Sequence, residues 1–140
     1  MNKSVYPCLW FDGKAREAAE YYTGIFSDSK LVSENPMVVI FEIKGNRFMC
    51  LNGGPKFQFN EALSLVVECE NQAEIDHYWN SFTKEGQESR CGWCKDKYGV
   101  SWQIIPADLG KWMNDPQRAT RVGKALLRMN KLIISDLQKA

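Results

Sequence analysis

The chain has 140 residues, 44% hydrophobic, 25% charged and 12% aromatic, a length and balance that suit one globular domain or two very small modules sharing a core. Eighteen Lys and Arg against seventeen Asp and Glu leave a formal net charge of +1 at pH 7, so no broad field favours non-specific binding to nucleic acid or an acidic membrane. A single histidine, His77, excludes any site that needs two His ligands from one chain, which removes many zinc and non-haem iron centres.

The opening segment, Met1 to Pro7, has no long apolar core and no small-residue cleavage site, which predicts a chain without a signal peptide. No apolar run approaches the roughly 20 residues that would span a bilayer. A soluble, cytoplasmic protein is expected. Five cysteines, Cys8, Cys50, Cys69, Cys91 and Cys94, make an odd count, and most lie in apolar contexts where Cys acts as a small hydrophobe, so no structural disulfide is expected.

Cys8-Leu9-Trp10-Phe11 is a short apolar run closed by the turn signal Asp12-Gly13, hence a strand. Lys14 to Phe26 places Ala15, Ala18, Ala19, Tyr22, Ile25 and Phe26 at helical spacing. Met37 to Ile43 is β-branched and aromatic, Lys44 to Arg47 is a hairpin turn, and Phe48 to Leu51 is the partner strand. Asn52-Gly53-Gly54-Pro55 closes this half.

The order then repeats. Leu63 to Cys69 is a strand, and Asn71 is an N-cap before a helix over Gln72–Phe82 with Ile75, Tyr78, Trp79 and Phe82 on one face. Cys91 to Cys94 is a short strand, Lys95 to Gly99 a turn, and Val100 to Ile105 the last strand, stopped by Pro106. Glu17, Tyr21 and Tyr22 recur as Glu74, Tyr78 and Trp79, while Gly45, Phe48 and Leu51 recur as Gly99, Trp102 and Ile105. Such an internal echo decides the architecture. Each unit reads as strand–helix–strand–strand–strand, with residues assigned for three of its four strands. One unit cannot bury both faces of its sheet, but two side by side can share a curved sheet with the helices outside. Beyond Ala107, Asp115-Pro116 starts a further helix. Val122, Leu126, Met129 and Ile133 form its apolar stripe, and Arg118, Arg121, Lys124, Arg128 and Lys131 dominate its polar side.

Several stretches resemble PhnB-like proteins of the glyoxalase/bleomycin-resistance/dioxygenase group, also called vicinal oxygen chelate. They are Cys8 to Ala15, Ala18 to Tyr22, Leu51 to Pro55, Phe57 to Glu61, Cys91 to Trp93 and Lys95 to Gln103. The resemblance covers nearly the whole chain. It implies an α+β fold of two βαβββ modules, about residues 4–55 and 60–106, forming a cup-like, eight-stranded mixed sheet. A C-terminal helical extension over 107–140 and a homodimer complete the expectation.

In metal-dependent members of that group each module offers one ligand from its first strand and one from its last. The last-strand positions here match Met49 and Gln103, and the first strands hold no His, only Cys8 and Glu68. A thioether is a poor ligand for a hard cation and a neutral amide is weak without carboxylate help, so neither metal nor other cofactor is expected. His77, in mid-helix beside Tyr78 and Trp79, is expected at the surface or in helix packing. Many relatives are described as demethylubiquinone methyltransferases, but no Gly-rich strand-to-helix turn of the kind that binds S-adenosylmethionine occurs. Cys91 and Cys94 are expected to be core or strand cysteines rather than a redox pair.

What remains is a small-molecule cup without an integral metal, acting on neither nucleic acid nor membrane. Its candidate lining is Cys8, Trp10, Arg47, Met49, Glu68, Trp93, Ser101 and Gln103, an apolar wall with few polar groups. The alternatives are a metal-dependent lyase, isomerase or dioxygenase drawing ligands from Glu68, Gln103, Cys8 and a second subunit, the methyltransferase of the relatives' description, and a thiol oxidoreductase that uses Cys91.

Overall fold

The computed structural model describes residues 4–140; Met1–Lys3, the start of the segment judged to lack a signal peptide, lie outside the described residues. The chain divides into two compact units, one ending at Gln58 and the other beginning at Phe59.

In the first unit, Cys8–Phe11 forms β1 and Ala15–Ile25 forms α1. The turn between them places Gly13 at φ +72°, a conformation that glycine adopts without strain. Lys14 gives α1 no side-chain cap; instead Asn52 Oδ1 accepts from Ala15 N at 2.9 Å and satisfies one of the orphan donors of the first turn. Ala15, Ala18, Ala19 and Tyr22 are the buried face of the helix. Three small residues let α1 lie close to its sheet, and the Tyr22 ring stacks on Phe41 at 5.7 Å. Ser29–Glu34, Val38–Ile43 and Asn46–Asn52 are β2, β3 and β4. The strand order is β1-β4-β3-β2, with β1 parallel to β4 and the other pairs antiparallel.

The second unit repeats this plan. Ser64–Cys69 is β5 and Gln72–Thr83 is α2. Asn71 caps α2 as expected, its Oδ1 accepting from Glu74 N at 2.9 Å. Gln87–Glu88, Trp93–Lys95 and Ser101–Pro106 are β6, β7 and β8, in the order β5-β8-β7-β6 with β5 parallel to β8. Phe82 of α2 stacks on Trp102 of β8 at 4.3 Å. Full burial of a side chain of this size contributes about 1.5–3 kcal/mol.

Among the described residues the expected eight strands are present, as two mixed sheets of four. The strand without assigned residues is in each unit the first after the helix, β2 and β6. Cys91 and Gly92 belong to a turn with φ of 59° and 85°, not to the strand, which begins at Trp93 and extends into the expected turn as far as Lys95.

The C-terminal segment differs from its expected single stripe. Leu109–Asn114 is α3, Pro116–Leu126 is α4 and Ile134–Lys139 is α5. Asp115 caps α4 and Pro116 opens it, as its chemistry requires. The helix ends at Leu126 by tightening its last turn, with Arg128 N and Met129 N donating three residues back to Ala125 O and Leu126 O at 3.1 and 3.0 Å; beyond it Met129 O and Asn130 O accept from Cys91 N and Gly92 N, each at 2.8 Å. The buried cluster is Trp112, Val122, Leu132 and Leu137, with Leu126 and Met129 packed against it. Gln72 of α2 holds this segment at both ends of its amide, donating to Leu132 O at 3.0 Å and accepting from Ile134 N at 2.8 Å. Among the described residues no helix is long and apolar enough to cross a membrane.

Candidate functional site

Strand alternation gives each sheet one helix-covered face and one open face. In the first unit Leu9, Phe11, Val39, Phe41, Ile43 and Cys50 are buried, on the side where Tyr22 stacks on Phe41. The opposite face carries Cys8 and Trp10 of β1, which pair with Met49 and Leu51 of β4, while Arg47 pairs with Glu42 of β3. In the second unit Cys94, Trp102 and Ile104 are buried. Ser64, Val66 and Glu68 of β5 then share the open face with Ser101, Gln103 and Ile105 of β8 and with Trp93 and Lys95 of β7. Trp10 and Trp93 of the candidate lining are on open faces, whereas the neighbouring aromatics Phe11 and Trp102 are buried toward the helices.

The registers bring Cys8 beside Met49 and Val66 beside Gln103. Met49 and Gln103 are the last-strand positions at which the resemblance implies a metal ligand, and Cys8 and Val66 are the first-strand residues opposite them. Their donors are a thiol, a thioether and an amide, with no carboxylate or imidazole among them. Burial pushes the Cys8 thiol up from its ordinary value, which disfavours the thiolate that a metal needs. Gln103 Nε2 is already engaged, donating to Ser64 Oγ at 2.9 Å. Glu68 lies one pair further along, opposite Ile105. Among the described residues no group of three or more His, Cys, Asp and Glu could hold a metal ion. The residues present do not fit a divalent cation of the usual kind.

Two open-face candidates are committed to the fold. Trp10 Nε1 donates to Gly54 O at 2.8 Å, and its ring meets Phe57 edge-on at 4.9 Å. The same ring fills the space beside Gly53, where an ideal Cβ would come within 2.5 Å of it. The Asn52-Gly53-Gly54-Pro55 turn is therefore shaped around an indole. Arg47 lies over the Tyr6 ring at 5.5 Å.

The second unit contains a recess of about 180 Å³ lined by Trp93, Lys95, Ser101, Glu61, Gln87 and Glu88 among others. Ser101 is 1% exposed, and its Oγ is the one buried side-chain oxygen or nitrogen among the described residues that lacks a hydrogen-bond partner. A buried hydroxyl left unpaired costs about 1–3 kcal/mol, and in a native fold it calls for an explanation. Lys95 Nζ lies 3.1 Å from Glu61 Oε1. The hydrogen bond from Lys95, followed by a backbone hydrogen bond and the Lys95 charge, holds the Glu61 carboxyl below its ordinary range. Sequence reasoning singled out Trp93, Ser101 and Gln103 but passed over Lys95, Glu61 and Ser64. Lys95 was accessible from strand period alone, two residues after Trp93, once the strand is extended by one residue.

The other sequence expectations concern cysteine and histidine. All five cysteines are free; Cys50, Cys69 and Cys94 are buried, Cys91 is half-buried and Cys8 is exposed. His77 is on the exposed side of α2 with its ring edge-on to Tyr78 at 4.8 Å.

The family model described as 3-demethylubiquinone-9 3-methyltransferase matches residues 3–105. Among solved structures, the PhnB protein of Bacillus cereus is 32% identical with a TM-score of 0.67, over 74% of this chain and 99% of that one. The fosfomycin resistance protein FosX of Listeria monocytogenes, solved with Mn(II) and sulfate, is 10% identical with a TM-score of 0.63, over 81% of this chain and 97% of that one. A glyoxalase-related enzyme of Fulvimarina pelagi is 16% identical with a TM-score of 0.53, over 74% of this chain and 88% of that one. The last two show the fold alone. Comparison with curated proteins finds no match. With most of its length matched by the family model and a PhnB protein among its structural neighbours, the chain belongs to the 3-demethylubiquinone-9 3-methyltransferase family, in its PhnB-like form and with the glyoxalase-like, vicinal oxygen chelate fold.

Proposed function

We propose that this protein binds a small molecule on the open face of its second sheet and does so without a resident metal ion. The observation that carries the proposal is the Ser101 hydroxyl, buried and unpaired at a recess walled by the Trp93 ring and the Lys95 side chain. A cleft with one apolar wall and a few convergent polar groups is the usual form of a small-molecule site. The donor set beside Met49 and Gln103 supports a metal-free role, because no carboxylate or imidazole accompanies the thioether and the amide. The methyl transfer in the family's name has no support from the Gly53-Gly54 turn, whose open side is taken by Trp10.

Native mass spectrometry of the purified protein tests this, with metal analysis on the same sample. An organic compound retained by the native chain and lost from Trp93→Ala is the expected result. Stoichiometric divalent metal that disappears in Gln103→Ala would overturn the metal-free reading in favour of a metal-dependent enzyme.

Two further parts of the proposal concern setting. Leu63 and Val66, 57% and 53% exposed at the start of the second sheet, support pairing of two chains, for which sedimentation should give twice the chain mass. Five free thiols support a reducing, cytoplasmic location.

A further inference from the structure

Resting on that reading of the recess, we infer that its ligand is a small carboxylic acid, and that Glu61 occupies the acid's place when the site is free. The register puts Ser101, Lys95 and Gln87 in one row across the open face, since Ser101 pairs with Lys95 and Lys95 with Gln87. A hydroxyl, an ammonium and an amide side by side offer hydrogen-bond donors to one acceptor-rich group. Ammonium-to-carboxylate bonds are the strong members of such a set.

Glu61 already shows the arrangement. Its carboxylate reaches Lys95 at 3.1 Å from the segment before β5, with its own side chain 65% exposed. An exposed pair of this kind contributes little to stability, so an incoming carboxylate can replace Glu61 on Lys95 at small cost. The replacement also gives the Ser101 hydroxyl an acceptor that the free protein lacks. Glu88, the other acid at the recess, pairs in register with the inward-facing Cys94 and takes Asn130 Nδ2 at 3.4 Å, so it does not compete for Lys95. The recess is smaller than the roughly 300–1,000 Å³ that houses a drug-sized ligand. One ring or a short chain therefore fills it, with its apolar part against Trp93.

The experiment is a calorimetric titration of the full chain with benzoate and with its neutral isostere benzamide. Benzoate should bind about three- to tenfold more tightly, the difference expected of one charge-assisted hydrogen bond to the half-buried Lys95 ammonium. Glu61→Gln should tighten benzoate several-fold by releasing Lys95, and Lys95→Met should abolish the preference for benzoate. Ser101→Ala should weaken benzoate, while circular dichroism verifies that each variant is folded. Benzamide binding as tightly as benzoate, with both weakened by Ser101→Ala, would overturn the acid class while leaving the recess as a small-molecule site. Unchanged or weaker benzoate binding in Glu61→Gln would overturn the stand-in role. No binding of either compound up to about 10 mM, where even weak sites fill, would overturn the inference, whereas co-purification judges the underlying reading separately.

Discussion

Trp102 Nε1 donates to Asp96 Oδ2 at 2.9 Å within the second unit, where both residues are buried. The other carboxylate oxygen accepts from Tyr98 N at 2.8 Å and Val100 N at 3.2 Å. One side chain therefore pins both limbs of the β7–β8 hairpin, the hairpin that carries Lys95 and Ser101. Asp96→Ala leaves three donors short of an acceptor, and each buried unsatisfied group costs about 1–3 kcal/mol. A loss of about 3 kcal/mol in urea unfolding is expected, with Asp96→Asn losing less because its amide oxygen still accepts.

In the first unit the corresponding fixed point is Trp10 against Gly53. A methyl group at Gly53 would enter the indole ring, so Gly53→Ala must displace Trp10 and strain its bond to Gly54 O. Overpacking of this kind costs about 1–3 kcal/mol. The variant should melt at lower temperature and show a changed tryptophan emission, whereas Gly24→Ala, with open space around it, should be neutral or slightly stabilising.

The thiols should separate by burial. Desolvation pushes Cys50 up to about 12, with Cys8 adding to it, and pushes Cys94 up to about 12, with Asp96 and then Glu88 adding. Their folded values are raised above the ordinary 9.0, so the stability of the neutral, buried thiols is complete below about pH 9 and is lost as pH rises toward about 12. Denaturant midpoints should fall across that alkaline window. Iodoacetamide at neutral pH should modify the accessible Cys8 and Cys91 before Cys50 and Cys94, which it reaches only on unfolding; early modification of Cys94 would contradict its burial.

Acid should loosen the C-terminal segment. The hydrogen bond from Lys131, then that from Gln72, holds the Asp76 carboxyl below its ordinary 3.8. A depressed carboxyl contributes stability that is present above its unfolded value and lost as pH falls through the folded one. Lys131→Met should therefore move the acid transition to higher pH. Gln72→Ala, which removes the bonds to Leu132 O and Ile134 N, should speed amide exchange at Ile134.

The elements legible in the sequence are those whose own residues carry the signal. Val38–Ile43 alternates half-buried and buried side chains, apolar at every position but Glu42, and Asn71 and Asp115 cap their helices by chemistry that any helix start needs. β2 was not legible because it is an edge strand, with Ser29 half-buried and the other five residues of Ser-Lys-Leu-Val-Ser-Glu exposed. β6 has two residues, too few for any period. The break after Leu126 was hidden because no glycine or proline follows it, and the bonds of Met129 O and Asn130 O to the Cys91 and Gly92 amides arise only in the fold. The site divides in the same way. Alternation alone puts Gln103 and Ser101 on one face, but Glu61 reaches Lys95 through the segment before β5, and the unmet hydroxyl of Ser101 is visible only in three dimensions.

Among the described residues, the first strand of each sheet is an edge that pairs within its sheet only with the last, β1 with β4 and β5 with β8. A nascent chain leaving the ribosome therefore carries Leu9 and Phe11 without a strand to lie beside until Asn52 has emerged, and Val67 waits likewise for Ile104. Premature termination anywhere inside either repeat would leave an unsatisfied ribbon, the kind of edge that recruits other chains. Biosynthesis of this protein thus has two vulnerable intervals, each ending only when its final strand arrives.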